Sequence, residues 1–591
     1  MRINSGKHAW LWLIGFWNLL CCAATWAQEP PQLPARTPVQ IARGTQGMVV
    51  AQTPLAADIG RDILEAGGNA VDATVAVAIA LTVTWPEAGN IAGGGFMMVA
   101  PPGKDVVCIE YREKAPASAH VHSFSKWENH YHARMAGVPG TIAGLAEAHR
   151  LYGSLPWRVL VEPSVALAEQ GFIVDDYLAY SLNSLLVKKS VREDERYAEL
   201  RRVLGHPDGK PWQAGERLQQ PDLARTLRCL AEQGPEAFYL GSIAQLIVAE
   251  MEQGEGLITA EDLRDYSPVV RKPISGTIGP YTLYGAPPPC SGGITVLQQL
   301  RIIEMLRPAN DPARLWTADQ VHVMVEAMRR GFRERAAHLG DADFIEIPPH
   351  VGTAEEARRL AETIHPERAT PSAELAGGIP LSDGPYESLE TTHFSIIDAD
   401  GMGVSNTYTL EESFGSRIVV RGGGFLLNNE MGDFNWYPGY TNREGKIGTP
   451  ANQIQPGKRM LSSQSPTIVK RDGRVVLLVG SPGGRTIINT VTEILAQTLL
   501  FGRSLPEAID APRFHHQWFP DVIRFEGDDL GIFREMTPEL IRRGHTVAQP
   551  RTLRQGSAHA IAIDPDTAAA TGAADWRRGG AARAVHSVQT P

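Results

Sequence analysis

The sequence predicts a mixed α/β protein, because helical and strand patterns dominate different parts of its 591 residues. Residues 70–84 are apolar on nearly all sides, which is typical of a helix buried in a core. From about residue 140 to 380 the pattern is mostly helical, with charged faces and Gly or Pro breaks. After Thr391, two alternating runs fold back on tight Asp-Gly turns, which indicates hairpins within a sheet. This length allows a large core and more than one typical domain.

The first helices have clear boundaries in the sequence. Residues 57–66 have the pattern of an amphipathic helix that stops at Gly67. Asn69 then caps the helix over residues 70–84, and Pro86 follows its end. This second helix is too short to cross a bilayer, so we expect it to be a core helix.

Strands and loops are predicted around these helices. Residues 96–99 and 106–111 alternate as strands do, and the second strand ends at Arg112. The Pro-rich run 287–293 predicts a loop that turns into a helix. Residues 341–390 are loop-rich, which places the peptide bond before Thr391 in an accessible region.

The first hairpin begins at Thr391. Residues 391–398 alternate, Asp400-Gly401 supplies a tight turn, and residues 404–409 return. Folding the run about this turn places Thr409 opposite Thr391, to within one residue of register. Thr is a favoured strand residue, so the simplest interpretation of Thr391 alone is structural. If the chain is cut just before it, however, its hydroxyl gains a neighbouring α-amino group, which together form a nucleophile and a base.

The second hairpin brings two serines towards two glycines. Its strands are residues 466–470 and 475–479, joined by an Asp-Gly turn. If the strands extend, Ser462 faces Gly483 and Ser463 faces Pro482. A helix is predicted to begin near residue 486, so Gly483-Gly484 lies at a helix N-terminus. Exposed backbone N–H groups at such a position favour an anion.

Composition excludes several classes of function. The formal net charge is −10 and no basic stripe is present, so nucleic acid is not an expected partner. Outside the N-terminal region the cysteines are Cys108, Cys229 and Cys290, whose spacing fits neither a metal site nor a disulfide framework. We therefore expect buried structural thiols, with no metal and no cofactor.

The N-terminus resembles a secretory signal over residues 1–27. Arg2 and Lys7 precede an apolar stretch over residues 9–24, and Ala27 is a suitable cleavage position. An uncleaved membrane anchor is the alternative, but the stretch is short and is interrupted by Asn18. We expect an exported protein, periplasmic or extracellular, without a stable membrane span.

Eight short stretches, taken together and in this order, resemble the gamma-glutamyltransferase (glutathione hydrolase) family. They are GNAVDA at 68–73, YRE at 111–113, VPGT at 138–141, GLIT at 256–259, PPP at 287–289, TTH at 391–393, LSS at 461–463 and SPGG at 481–484. Each stretch alone is weak, but the ordered set is specific and covers nearly the whole chain after the signal.

The resemblance implies an N-terminal-nucleophile hydrolase fold, a four-layer αββα sandwich. It also implies a precursor that cleaves itself between Glu390 and Thr391 into a large subunit, 28–390, and a small subunit, 391–591, which form a heterodimer. The activity it implies is transfer of the γ-glutamyl group of glutathione or a related amide to water, an amino acid or a dipeptide.

Residue roles are also implied by the resemblance. Thr391 matches the nucleophile, Thr409 the hydroxyl that orients it, and Gly483 and Gly484 the donors of an oxyanion hole. Arg112 matches the guanidinium that grips the substrate α-carboxylate, a task suited to its planar fork. The remaining matches are Ser462 and Ser463, further ligands of that carboxylate, and Glu411, Glu430 and Asp433, around the substrate α-ammonium.

This chain departs from some family members at the substrate site. Glu411 and Glu430 stand where others carry Asn and Gln, which predicts a more negative pocket. Residues 435–456 fall where some members carry a lid, with Tyr437 and Tyr440 as candidate covers, although the sequence is not a close match to that lid.

Two other functions remain open from the sequence. One is an acylase of the same fold that removes a glutaryl-like side chain from a β-lactam nucleus. Its substrates lack the α-ammonium, so the acidic residues argue against it. The other is an inactive relative that serves as a binding protein, against which the intact Thr391, Thr409 and Arg112 argue.

Overall fold

The computed structural model describes residues 31–124, 129–382, 391–527, 531–548 and 554–586. The predicted signal over residues 1–27 and Glu390, on one side of the predicted cleavage site, lie outside these residues.

The strands of the described residues are short and spread along the chain. They are β1 (Gln40–Gly44), β2 (Gly47–Ala51), β3 (Gly94–Ala100), β4 (Val107–Glu110), β5 (Phe172–Ile173), β6 (Arg217–Leu218), β7 (Val269–Arg271), β8 (Ile274–Ile278), β9 (Tyr281–Gly285), β10 (Leu381–Ser382), β11 (Thr392–Asp398), β12 (Gly403–Thr409), β13 (Thr441–Asn442), β14 (Thr467–Arg471), β15 (Arg474–Val479), β16 (Phe514–His515), β17 (Arg524–Phe525), β18 (His559–Ile563), β19 (Ala570–Ala574) and β20 (Ala581–Ala584).

The α-helices of the described residues fall mainly between β2 and β10. They are α1 (Pro54–Glu65), α2 (Ala70–Thr84), α3 (Thr141–Tyr152), α4 (Trp157–Gln170), α5 (Asp176–Leu186), α6 (Lys189–Glu193), α7 (Ala198–Leu204), α8 (Pro221–Gln233), α9 (Glu236–Tyr239), α10 (Ser242–Gln253), α11 (Ala260–Arg264), α12 (Gly292–Leu306), α13 (Ala318–His338), α14 (Ala354–Glu362), α15 (Thr486–Leu495), α16 (Leu505–Asp510) and α17 (Gly531–Arg542).

Two antiparallel seven-stranded sheets form the centre of the molecule. One has the order β1-β19-β18-β15-β14-β9-β8, and the other β20-β2-β11-β12-β3-β4-β7. Alternate side chains of each strand point to opposite faces. Met48 and Val50 therefore join the core between the sheets, while Val49 and Ala51 join the core under the helices.

Helices cover both outer faces of the two sheets. Side chains of α1 to α11 pack with the second sheet in one apolar core, and those of α12 to α17 pack with the first sheet in another. The order is helices, sheet, sheet, helices, so the expected four-layer αββα sandwich is confirmed.

Several predicted elements are confirmed within a residue or two. The core helix spans Ala70–Thr84, and Asn69 and Asp72 form a capping box at its start. The first hairpin pairs Thr392 with Tyr408, which gives the register that the sequence predicts.

None of the helices in the described residues is long and apolar enough to span a membrane.

Other elements differ from the prediction. The first helix begins at Pro54 rather than residue 57, because Thr53 caps it and Pro is favoured in the first turn. The region predicted as mostly helical contains β7, β8 and β9, which are edge or near-edge strands with many half-buried residues and hence a weak alternation.

The second hairpin is shifted by one residue from its predicted register. A bulge between Val469 and Lys470 changes the pairing, so that Thr467 faces Val479. The strand begins only at Thr467, and Ser462 instead forms a bridge with Cys290.

Candidate active site

The predicted nucleophile lies at the end of the two central strands of the second sheet. Thr391 directly precedes β11, and its side chain is buried. Its hydroxyl lies 3.4 Å from the hydroxyl of Thr409, the last residue of β12. The Thr409 hydroxyl also accepts a hydrogen bond of 2.8 Å from the backbone N–H of Glu411. These contacts place Thr409 where it can orient the hydroxyl of Thr391.

The two predicted oxyanion-hole glycines follow β15. Gly483 has a φ of +128° and Gly484 a φ of +55°, and α15 begins two residues later. A Cβ atom on Gly483 would lie 2.5 Å from the Thr486 hydroxyl, so only glycine fits this turn. The turn places backbone N–H groups at a helix N-terminus, where a negative charge is stabilised.

A cavity of about 460 Å³, counted with its opening to solvent, connects these elements. It is lined by Arg112, Thr391, Thr409, Glu411, Glu430, Asp433, Ser462, Ser463, Gln464, Gly484, Arg485 and Ile487. The structure therefore brings together nearly all the residues predicted from the sequence. Gly483 adjoins the lining residue Gly484, and Glu390 lies outside the described residues.

Arg112 is buried among acidic side chains. One of its terminal nitrogens, Nη1, lies 2.7 Å from Glu430 and 3.4 Å from Glu113, and the other, Nη2, lies 2.5 Å from Asp433. Its Nε donates to the backbone carbonyl of Met460 at 3.3 Å. These partners fix the plane of the guanidinium at the cavity wall.

Burial changes the proton affinity of the acids beside Arg112. Desolvation raises the pKa of Glu430 well above its usual value, and it raises that of Glu113 to about 7, although the Arg112 charge opposes both shifts. Burial acts to lower the pKa of Arg112, but Glu430, Glu113 and Asp433 outweigh it, so the net shift is upward. Arg112 therefore stays charged, while Glu430 holds its proton more tightly than an exposed carboxyl does.

The serine pair is held by the Pro-rich loop and by α13. The backbone N–H of Ser462 donates to Pro289, and its carbonyl accepts from the N–H and hydroxyl of Ser291. The hydroxyl of Ser463 accepts a hydrogen bond of 3.0 Å from Arg335. Arg335 also donates to the Ser291 hydroxyl, so this arginine ties the serine pair to the loop.

Sequence reasoning missed several residues of this site. Gln464, Arg485 and Ile487 line the cavity, and Glu113 and Arg335 contact residues that line it. Glu113 stands in a stretch that the family resemblance used, so its place beside Arg112 could have been inferred. Arg335 lies in the long helix α13 together with other arginines, and nothing in their spacing marks Arg335 as the one that reaches the site.

The segment that the sequence marks as a possible lid runs beside the cavity. The rings of Tyr437 and Tyr440 are 6.4 Å apart, and the Lys446 ammonium lies 4.4 Å from the Tyr437 ring. The lining residue Arg485 donates to the Gly445 carbonyl at 3.0 Å, which anchors the segment at the start of α15.

Comparisons with known proteins agree with this geometry. The family model described as gamma-glutamyltranspeptidase matches residues 56–585. A relative from Escherichia coli strain K12, named glutathione hydrolase proenzyme, is 41% identical over 532 residues, which cover 89% of each chain.

Solved structures are also similar to this chain. A cephalosporin acylase from Bacillus halodurans has a TM-score of 0.81 at 27% identity, covering 95% of this chain and 99% of that one. A gamma-glutamyltranspeptidase from Helicobacter pylori has a TM-score of 0.51 at 33% identity, covering 56% and 96%. On its sequence match, its N-terminal-nucleophile hydrolase fold and the residues of its cavity, this chain belongs to the gamma-glutamyltranspeptidase family.

Proposed function

We propose that this protein is a self-processing gamma-glutamyltransferase and glutathione hydrolase. It takes the γ-glutamyl group of glutathione or a related amide and transfers it to water, an amino acid or a dipeptide. The observation that carries this proposal is the single cavity in which Thr391, Thr409 and Gly484 meet Arg112 and its acidic partners. The name of the Escherichia coli relative supports glutathione as the donor.

In the first step the Thr391 hydroxyl attacks the carbonyl of Glu390, and the peptide nitrogen leaves as the new α-amino group of Thr391. Water hydrolyses the resulting ester and frees the Glu390 carboxylate. The products are a large subunit, 28–390, and a small subunit, 391–591, which stay together as a heterodimer. Removal of residues 1–27 and export are the further expectations for the N-terminus.

In the second step the free amine of Thr391 accepts the proton of its own hydroxyl as the hydroxyl attacks the γ-carbonyl of the donor. Thr409 orients that hydroxyl, and the N–H groups of Gly483 and Gly484 stabilise the oxyanion. The amine of the donor leaves with a proton. Water or an acceptor amine then attacks the γ-glutamyl ester and releases Thr391.

The site discriminates its donor by the two charges of an amino-acid head group. Arg112 with Ser462 and Ser463 binds the α-carboxylate, and the acidic residues Glu411, Glu430 and Asp433 surround the α-ammonium. One oxygen of Asp433 contacts Nη2 of Arg112. Nη2 carries two N–H groups, so the second of them can reach a substrate carboxylate.

The alternative is an acylase for glutaryl-like side chains, which the cephalosporin acylase neighbour favours. Three anilides separate the two functions: γ-glutamyl, glutaryl without the ammonium, and 4-aminobutyryl without the carboxylate. A gamma-glutamyltransferase turns over the first far faster than either of the others. Faster turnover of the glutaryl anilide would favour the acylase, and no turnover by processed protein would favour a binding relative.

Self-processing is tested by the subunit pattern on a denaturing gel. Wild type should yield two chains whose small subunit begins at Thr391 by N-terminal sequencing. Thr391→Ser should still cleave, because a hydroxyl remains, whereas Thr391→Ala should stay a single chain. Cleavage of purified Thr391→Ala at the same bond, without added protease, would contradict the proposal.

A further inference from the structure

A cluster of three possible metal ligands lies at the end of α13, outside the cavity of the candidate active site. Glu334 and His338 are four residues apart on this helix, and His350 comes from the segment between α13 and α14. One ligand atom from each residue can be chosen so that all lie within 4.8 Å of one another. No metal is expected from the sequence, because the spacing of the cysteines does not fit a metal site.

The buried carboxylate of Glu334 points to a missing partner. The side chain is 3% exposed, and its Oε1 pairs with Arg333 at 2.5 Å. Its Oε2 is buried and accepts no hydrogen bond from the residues described. Nε2 of His338 lies 3.7 Å from this oxygen, which is too far for a hydrogen bond. Leaving a buried carboxylate oxygen without a partner costs stability, so a ligand at this position is favoured.

The 3.7 Å between Nε2 of His338 and Oε2 of Glu334 is close to the separation of two ligands of one tetrahedral ion. Zinc bonds of roughly 2.0–2.1 Å separate neighbouring N and O ligands by about 3.3–3.4 Å. The rings of His338 and His350 lie edge to face with centroids 5.8 Å apart, so small side-chain rotations bring both to one ion. His350 is exposed and His338 is partly exposed, which gives an ion access and leaves room for a water molecule.

The chemistry of the three groups selects the ion. Two imidazoles and one carboxylate favour zinc or a neighbouring transition metal, whereas calcium and magnesium prefer oxygen ligands.

We propose that Glu334, His338 and His350 form a zinc site, with Oε2 of Glu334, one ring nitrogen of each histidine and a water molecule as ligands. The ion would cross-link the end of α13 to the segment that carries His350. Arg335 is the next residue along the helix after Glu334 and holds Ser291 and Ser463. Zinc would therefore stiffen the helical turn that supports the serine pair. The proposal does not depend on the reaction that the active site performs.

In a second cluster, formed by His130, Glu411 and Glu412, the possible ligand atoms also lie within 4.8 Å of one another. It belongs to the site already described, because Glu411 lines that cavity and the His130 ring stacks on Trp436 at 4.6 Å. It serves as the competing location in the experiment.

The test uses the full untagged enzyme, stripped with a chelator and dialysed. Zinc chloride is titrated calorimetrically, and cobalt chloride is titrated separately to read the ligand field from its visible absorption. Wild type should bind one equivalent of either ion, show the intense visible bands of tetrahedral cobalt and gain thermal stability with zinc. His350→Ala should lower the affinity for zinc at least ~10–100-fold, since this is the loss seen when a residue that only hydrogen-bonds to a metal ligand is removed.

The matched control is His365→Ala, another exposed histidine, in the loop after α14. It should bind zinc as wild type does. Because His350 is exposed, metal-free His350→Ala should melt at the wild-type temperature, which shows that it folds. Equal zinc affinity in wild type and His350→Ala, or loss of binding in His130→Ala instead, would overturn the proposal.

Discussion

Replacing Arg112 by lysine tests how the enzyme recognises its donor. Lysine keeps the positive charge that the buried acids need, whereas alanine would leave Glu113 and Glu430 without a buried partner and destabilise the fold. Lysine lacks the planar fork, so it cannot hold Met460, Glu430 and Asp433 and also offer an N–H group to a carboxylate.

The magnitude of this effect follows from the bonds that are lost. A hydrogen bond to a charged group contributes about 1.5–3 kcal/mol. Losing one such bond to the α-carboxylate in the transition state lowers kcat/KM by ~10–150-fold, since about 1.36 kcal/mol is a factor of ten. Self-cleavage involves no substrate carboxylate, so Arg112→Lys should still yield two subunits on a gel.

The assay compares the three anilides on wild type and Arg112→Lys. The γ-glutamyl and glutaryl compounds carry the carboxylate, so their kcat/KM should fall by the calculated factor relative to wild type. The 4-aminobutyryl compound lacks it and should change little. Equal losses on all three anilides would refute the reasoning, because Arg112 would then support the fold or the chemistry rather than carboxylate recognition.

Two further changes probe the acids and the oxyanion hole. Glu430→Gln removes a carboxyl whose pKa burial raises. In wild type the donor ammonium favours the ionised form of Glu430, so KM should fall as pH rises, whereas the variant's KM should change less; parallel KM profiles would contradict this. The raised pKa also means that the folded enzyme binds this proton more tightly than the unfolded chain. Wild type should therefore lose thermal stability as pH rises above the pKa that Glu430 has in the unfolded chain, and the variant should lose less. In Gly483→Ala the added Cβ would meet the Thr486 hydroxyl at 2.5 Å, so the backbone N–H of residue 483 should move away from the oxyanion. We expect kcat to fall ~10²–10³-fold, as it does when one oxyanion donor is lost. Gly209→Ala, with a φ of +70° and nothing within 4 Å, controls for backbone strain alone, and equal kcat in the two variants would contradict the assignment.

The sequence predicts best where a short local rule sets the geometry. An Asp-Gly turn fixes the register of the first hairpin, and this register places Thr391 opposite Thr409. The same rule fails by one residue at the second hairpin, because a bulge inserts an unpaired residue that no local pattern marks.

The remaining failures concern contacts between residues far apart in the chain. Arg335 and Ser463 are separated by 128 positions, and each is unremarkable in its own element. His350 reaches Glu334 and His338 through the course of a loop, which periodicity does not describe. Such contacts depend on how the layers pack, so they follow from the fold rather than from any one segment.

The charges around Arg112 explain how acids can replace the amides that other family members carry at positions 411 and 430. Burial raises the pKa of Glu430, and in its protonated form this residue is neutral and close to glutamine in size, which lessens the repulsion among several adjacent carboxylates. Under the proposed function, the ammonium of a bound donor lowers the pKa of Glu430 and so favours its ionisation, and the released proton goes to solvent. A glutaryl donor brings a carboxylate without an ammonium, so it gains nothing from this ionisation and is repelled by Asp433 and Glu411. Under the proposed function, the acids therefore favour γ-glutamyl donors by selecting against carboxylates that lack a neighbouring ammonium, and this selection should grow as Glu430 ionises with rising pH.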